Sequence, residues 1–213
     1  PRPHLGAVGG LPRAGTARGR GRLPLSFSRC WQQFLRAPAV LPGDPGVREA
    51  WHQGRRWYNV SVLMLEEPEI QARRAAVFSA LAPLLRPSAP ATPHITVWVH
   101  GFGPPDFSME GEEVDVVVGR VNSFRSCVFL EVYAPQLPQL RSGFSGPEER
   151  YAPYLPHLTV GCYRQAARPR ELLPLFRPFR RLPPLRLRAR LQAMCVDAWD
   201  EAGSLHPARS ILA

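Results

Sequence analysis

The spacing of apolar and polar residues predicts a mixed chain of strands and helices between residues 51 and 199. Apolar residues at every second position, bounded by Gly, Pro, Asn or Ser, are typical of strands. This pattern predicts strands at Trp57–Leu65, His94–Phe102, Val114–Val121, Cys127–Tyr133, His157–Tyr163 and Leu185–Trp199. A turn is expected around Asn122-Ser123. Apolar residues at helical spacing, or short segments between strands, predict helices at Glu66–Leu85, Pro135–Ser142 and Arg168–Phe176.

A five-residue segment occurs twice, and each copy begins a predicted strand. Pro93–Val97 reads Pro-His-Ile-Thr-Val, and Pro156–Val160 reads Pro-His-Leu-Thr-Val, in a chain with only six histidines. The histidine strands therefore occupy equivalent places in two halves of the chain. We predict an α+β fold with two lobes, each an antiparallel sheet with outer helices. The lobes would be related by a pseudo-twofold axis, with a central cleft between them.

The ends of the chain differ in composition from the part between them. Residues 1–47 are rich in Gly, Pro and Arg and predict a disordered leader, with a short helix possible within Leu23–Val40. Its Arg-rich, acid-poor composition also faintly resembles an organelle transit peptide. We place the folded domain at residues 48–207 and a tail at residues 208–213.

Charge and cysteine content narrow the class of protein. The net charge is +10, and all 27 basic residues are Arg, which favours a nucleic-acid partner. Eight of these Arg lie in residues 1–48, where Asp44 is the only acid, so the excess is concentrated away from the repeated motif. No apolar run reaches the length of about 18 residues expected for a membrane helix, so no membrane association is expected. Four cysteines without Cys-x-x-Cys spacing indicate reduced thiols in a cytoplasmic protein.

The repeated motif carries groups suited to phosphodiester chemistry. Strict alternation would place His94, Thr96, Trp98 and His100 on one face of the first motif strand, and His157, Thr159, Gly161 and Tyr163 on one face of the second. Two histidines can serve as general acid and general base near neutral pH, because the unperturbed pKa of histidine is about 6.5. Two threonine hydroxyls can hold the non-bridging oxygens. The sequence has no carboxylate cluster typical of a magnesium site, so no metal or other cofactor is expected.

The paired motifs, above all Tyr154-x-Pro156-His157-Leu158-Thr159-Val160-Gly161, resemble those of the two-histidine phosphoesterase superfamily. That superfamily includes the RNA 2′,3′-cyclic phosphodiesterases, also called 2′-5′ RNA ligases. The resemblance covers about residues 50–205. It implies a bilobal α+β fold and metal-independent hydrolysis of a 2′,3′-cyclic phosphate or a 2′-5′ linkage, and it allows the reverse ligation. His94 and His157 would be catalytic, and Thr96 and Thr159 would bind the phosphate. Many RNA-processing members carry an Arg soon after the second Thr, whereas Gly161-Cys162-Tyr163 stand there in this chain.

Several alternatives stay open at this level. The chain could be a non-catalytic nucleotide- or RNA-binding module on the same fold, or an RNA adaptor that binds through its Arg-rich leader. The expected partner is RNA or a nucleotide with a cyclic phosphate or a 2′-5′ linkage, bound by a monomer. For individual side chains, further choices stay open. Trp98 and Tyr163 could stack on bases or serve packing, His100 could contact substrate or lie at the rim, and Tyr58 could line the cleft. The stripe of Arg186, Arg188 and Arg190 could be a solvated face or could bind the RNA backbone.

Overall fold

Eight antiparallel strands form the framework of the structure. The computed structural model describes residues 26–42, 53–88, 90–146, 148, 154–200 and 203–212. The strands are β1 (Trp57–Met64), β2 (Leu85–Pro87), β3 (His94–Gly101), β4 (Glu113–Ser123), β5 (Cys127–Tyr133), β6 (His157–Tyr163), β7 (Leu185–Asp197) and β8 (Leu205–Pro207). Five helices lie in the described ranges: α1 (Phe27–Arg36), α2 (Pro68–Ala80), α3 (Leu137–Ser142), α4 (Pro169–Phe176) and α5 (Ala208–Leu212). The predicted mixed α and β composition is therefore confirmed.

Strand β7 connects two groups of strands within one sheet. The strand order is β2-β6-β5-β4-β7-β1-β3, and β8 pairs with β7 beside this path. The first part of β7, residues 185–190, pairs with β4, and the second part, residues 191–197, pairs with β1. The two motif strands, β3 and β6, consequently lie towards opposite ends of the strand order.

One face of this sheet, which we call the core face, is covered by helices. It carries alternate apolar residues of every long strand, among them Leu63, Ile95, Val116, Leu130 and Leu158. Helix α2 begins with Pro68, which suits a first helical position because its missing N–H has no partner there. This helix adds Ile70 and Val77 to the same buried cluster, and α4 adds Leu172 and Phe176.

The predicted strands agree with the structure to within a few residues, but three short elements were not predicted. The first is β2, which begins at Leu85, the last residue of the predicted helix, whereas α2 ends at Ala80. The others are β8 and α5, which are too short to show a periodic pattern. The expected turn at Asn122-Ser123 is wrong, because both residues belong to β4 and the turn follows at residues 124–126. In the predicted tail, Ala208 begins α5 and is buried against Ala193 and Cys195.

Helix α1 corrects the predicted leader. Ser26 caps the helix, because its Oγ accepts a hydrogen bond from the backbone N–H of Arg29 at 3.2 Å. Phe27 and Phe34 are buried, and the Phe34 ring stacks on Phe176 of α4 with centroids 5.5 Å apart. Residues 27–40 are therefore part of the folded body. The rest of the predicted leader, residues 1–25 and 43–47, lies outside the described residues.

None of the helices in the described ranges combines the length and the hydropathy needed to cross a membrane.

Candidate active site

The strand register places both copies of the repeated motif on the same face of the sheet. In an antiparallel pair, residues directly opposite each other point to the same side. The pairs that connect the two motifs are His94/Met64, Thr96/Val62, Val62/Gln192, Arg186/Val117, Val117/Tyr133, Glu131/His157 and Phe129/Thr159. Residues of one strand that lie two apart share a face, so this chain of neighbours is continuous. We call this side, opposite the core face, the motif face.

Although they are distant in the strand order, β3 and β6 approach each other in space. Cα atoms of the two strands lie within 8 Å of one another. The Tyr154 hydroxyl, just before β6, donates to the carbonyl of Thr96 at 3.0 Å. Arg74 of α2 donates to the carbonyl of Thr159 at 2.8 Å and to that of Ala91, before β3, at 2.7 Å. These hydrogen bonds connect the segments that carry the two motifs. Burial lowers the pKa of the Arg74 guanidinium.

Both motif histidines are held by the same local hydrogen bond. In each, Nδ1 lies 2.7 Å from the backbone carbonyl oxygen two residues earlier, that of Thr92 for His94 and that of Leu155 for His157. A carbonyl only accepts hydrogen bonds, so the proton is on Nδ1 and the lone pair of the neutral ring is on Nε2. Each imidazole can therefore accept a proton at Nε2 and return it from the same atom, as an acid–base catalyst must.

Two phenylalanine rings pack edge-on against His157. The centroid of the Phe124 ring lies 5.1 Å from that of the imidazole at an interplanar angle of 85°, and the Phe129 ring lies at 5.3 Å and 63°. Helix α1 supports this arrangement, because the Phe27 ring lies 6.3 Å from the Phe129 ring. The orientation of the second histidine is thus fixed from the side as well as through Nδ1.

Each motif strand contains a β-bulge at the valine of the motif. In β3, Thr96 and Trp98 have consecutive partners on β1, so Val97 is the extra residue. In β6, Thr159 and Gly161 have consecutive partners on β5, so Val160 is the extra residue. A bulge of one residue exchanges the two faces for the positions that follow it, until a further bulge occurs. In β3 a second register shift follows at His100, between Val99 and Gly101. The alternation expected from the sequence is consequently inverted after Val97 and after Val160.

This inversion makes the predicted substrate-binding roles of Trp98 and Tyr163 wrong. Trp98 lies on the core side, opposite Ser61, with its ring stacked on Phe144 at 5.6 Å. Tyr163 has no exposed surface, and its hydroxyl is hydrogen bonded to Ser123 Oγ at 2.7 Å. Burial raises the pKa of that hydroxyl. Both aromatic rings therefore serve packing, which was the open alternative.

His100 does not share a face with His94 either, because of the bulge at Val97. Its Nε2 lies 2.9 Å from Ser61 Oγ, and its ring packs edge-on to Phe144 at 5.7 Å. The sequence left open a substrate contact or a rim position, whereas the structure shows a buried residue of the interior.

We expect His100 to make stability depend on pH. Burial lowers its pKa, with smaller opposing effects of Asp106 and Glu148. Below about pH 6.5 the unfolded chain binds a proton at this histidine more readily than the folded chain does. The free energy of unfolding therefore decreases as the pH is lowered. Urea unfolding at about pH 7.5 and about pH 5.5 should give a smaller difference for His100→Asn than for the unchanged protein. The half-buried His206 provides the control substitution, His206→Asn, and an unchanged difference in His100→Asn would contradict this prediction.

Two other sequence candidates do lie on the motif face. Tyr58 is buried among apolar residues there, with its ring 5.3 Å from Phe102, so it does not line an open surface. The stripe of Arg186, Arg188 and Arg190 is on this face, and two of the three are in exposed ion pairs. Arg188 lies 3.3 Å from Asp115, and Arg190 lies 3.2 Å from Glu113. Such exposed pairs contribute about 0–1 kcal/mol each, which favours the solvated-face alternative.

A buried carboxylate beside His157 was missed by sequence reasoning. Glu131, directly across the strand pair from His157, is only 1% exposed. Its oxygens accept hydrogen bonds from Asn122 Nδ2 and from the Tyr133 hydroxyl, each at 2.8 Å, and the Arg120 and Arg180 guanidinium groups lie at 3.4 and 4.0 Å. The signal in the sequence was an acidic residue in the middle of an otherwise apolar strand.

In the part of the chain that the structure describes, no three His, Cys, Asp or Glu side chains come together as a metal site. No protein-family model matches the chain, and no curated protein matches it.

Proposed function

We propose that the protein is a metal-independent phosphodiesterase that uses His94 and His157 as its acid–base pair. The observation that carries this proposal is that both imidazoles lie on one face of the sheet with Nδ1 bound to a backbone carbonyl at 2.7 Å. This common geometry gives both rings the same reactive atom, Nε2. The substrate would be a 2′,3′-cyclic phosphate or a 2′-5′ linkage in RNA or a nucleotide.

In the proposed mechanism the two histidines act on opposite sides of one phosphorus atom. One Nε2 removes a proton from the attacking water or hydroxyl, and the other Nε2 protonates the leaving oxygen. Thr96 and Thr159 donate hydrogen bonds to the non-bridging oxygens, where negative charge increases in the transition state. Hydrogen-bond reach of about 3 Å on each side requires the imidazoles to be about 5–8 Å apart when substrate is bound.

We propose that the active site lies in a cleft between two related lobes. The two groups of strands that share β7 would form the lobes, with one motif in each. The equivalent bulges at Val97 and Val160, and the equivalent Nδ1 bonds, support a pseudo-twofold relation between the motifs. The resemblance to two-histidine phosphoesterases implies the same arrangement.

We further propose that the enzyme works as a monomer in the cytoplasm. All four motif residues belong to one chain, so the proposed site does not require a second copy. The four cysteines are free thiols, which is typical of a reducing compartment.

The proposed reaction should proceed in the presence of a chelator and should show a bell-shaped dependence of kcat on pH. Activity requires one histidine to be neutral and the other to be protonated, so the rate should fall on both sides of an optimum. The measurement is turnover of nucleoside 2′,3′-cyclic phosphates, and of short RNAs with cyclic ends, in EDTA. Activity that disappears in EDTA and returns with Mg²⁺ or Zn²⁺ would contradict a mechanism that depends on the histidines alone.

A further inference from the structure

Phe124 is an aromatic residue at the edge of the proposed active site that alternation along the motif strands could not reveal. It lies in the turn between β4 and β5, outside both motifs. Its ring is edge-on to His157 at 5.1 Å and stacks on Phe129 with centroids 4.3 Å apart and planes at 28°. It is thus in direct contact with one of the two proposed catalytic groups.

The turn that carries Phe124 is fixed by hydrogen bonds. The Phe124 backbone N–H donates to the carbonyl of Cys127 at 3.0 Å, and the Ser123 hydroxyl donates to the Phe124 carbonyl at 2.6 Å. The next residue is also held, because the Leu41 N–H donates to the carbonyl of Arg125 at 2.8 Å. The ring is therefore presented in a defined position, which lowers the entropy cost of binding against it.

Phe124 retains exposed surface, whereas the other ring against His157 does not. Phe129 is completely buried, but Phe124 is only half-buried, with Phe129 covering one face of its ring. Trp98 and Tyr163 are turned towards the core by the bulges. A flat, partly exposed ring beside a catalytic histidine offers what a nucleobase needs for stacking.

We propose that Phe124 stacks on the nucleobase attached to the reacting phosphate, so that the substrate class is base-bearing nucleotides and RNA ends. This inference rests on the proposed function and makes it more specific, because it separates recognition of the base from recognition of the phosphate. The base would lie on the His157 side of the site, with Phe129 and α1 supporting the ring from behind.

The test compares a nucleoside 2′,3′-cyclic phosphate with ribose 2′,3′-cyclic phosphate, which has the same reacting group but no base. In Phe124→Leu the side chain keeps its apolar character and much of its volume but loses the flat ring. We expect its KM for the nucleoside substrate to rise about 10- to 100-fold, the range of single-base stacking, while its KM for the ribose substrate changes less than about twofold. Phe124→Trp should restore the nucleoside KM. Phe107→Leu, at a half-buried ring that packs against Arg209, is the matched control and should behave as the unchanged protein.

Three results would overturn the proposal. If Phe124→Leu lowers kcat equally for both substrates with KM unchanged, the ring only orients His157. If the nucleoside KM is unchanged in Phe124→Leu, no stacking occurs there. If the unchanged protein turns over both substrates with equal kcat/KM, the base is not recognised. Failure of the unchanged protein to turn over either substrate would instead contradict the proposed function itself.

Discussion

Replacing either His94 or His157 with alanine should lower kcat for a cyclic phosphate substrate about 10²- to 10⁴-fold, the usual contribution of a positioned acid or base. The double variant should be little worse than the worse single variant, because the pair acts on one transition state. The losses in Thr96→Ala and Thr159→Ala should be smaller, since each removes one hydrogen bond while the other threonine remains. All four side chains are partly exposed on the motif face, so folding should be preserved.

The control is His206→Ala, which changes a histidine on β8, a strand that pairs with β7 beside the main strand order. It should retain the activity of the unchanged protein. Near-normal turnover by folded His94→Ala and His157→Ala would contradict the catalytic assignment. A nucleotide-binding module would then be the better explanation, and equilibrium binding of the same nucleotides would measure it.

The largest loss of stability should follow the substitution Glu131→Ala. This carboxylate is buried, and its removal takes from the Asn122 amide one of its two acceptors, the other being the Phe27 carbonyl. It also leaves the Arg180 guanidinium, which donates to the Val121 carbonyl, without the negative charge 4.0 Å away. Breaking a buried charged network in this way costs about 3–5 kcal/mol. Urea unfolding followed by circular dichroism measures the free energy of unfolding in the presence and absence of the side chain.

An exposed glutamate in the same sheet provides the comparison. Glu113 forms ion pairs with Arg188 and Arg190 but is 46% exposed, so Glu113→Ala should cost less than about 1 kcal/mol. Equal effects of the two substitutions would show that the Glu131 network is not a major source of stability. Because Glu131 is the cross-strand neighbour of His157, Glu131→Ala should also lower turnover, even at temperatures at which this variant is still folded.

The sequence predicted the long elements well because their apolar periodicity is a local property. The strands His94–Gly101 and His157–Tyr163 begin and end within a residue of the prediction. The four motif residues were placed on a common face of their own strands, and the structure agrees. The sequence alone could not show that these two faces belong to the same face of one sheet. That conclusion needs the complete strand register, which depends on β7 and on pairs distant in sequence.

The errors have a single main cause, which is that a bulge is decided by the partner strand. Nothing in Pro-His-Ile-Thr-Val distinguishes a regular strand from one with an extra residue at Val97, so Trp98 and Tyr163 were assigned to the wrong face. A short helix was considered possible where α1 lies, but its packing on the folded body was not predicted, for another reason. Five of its ten residues are apolar, but they lie in a segment rich in Gly, Pro and Arg, and the contact of Phe34 with Phe176 joins residues distant in sequence. Phe124 follows β4 in a turn, where no alternation applies.

The shared strand β7 has a consequence for how the protein unfolds locally. Its residues 185–190 are hydrogen bonded to β4 and its residues 191–197 to β1, without a break between them. If either group of strands separates from β7, it exposes the backbone of the strand to which the other group is also bonded. Local unfolding of one group is therefore coupled to unfolding of the other. In a native-state hydrogen-exchange experiment, the amides at the junction of Arg190 and Leu191 should therefore exchange only through global unfolding, as one cooperative unit.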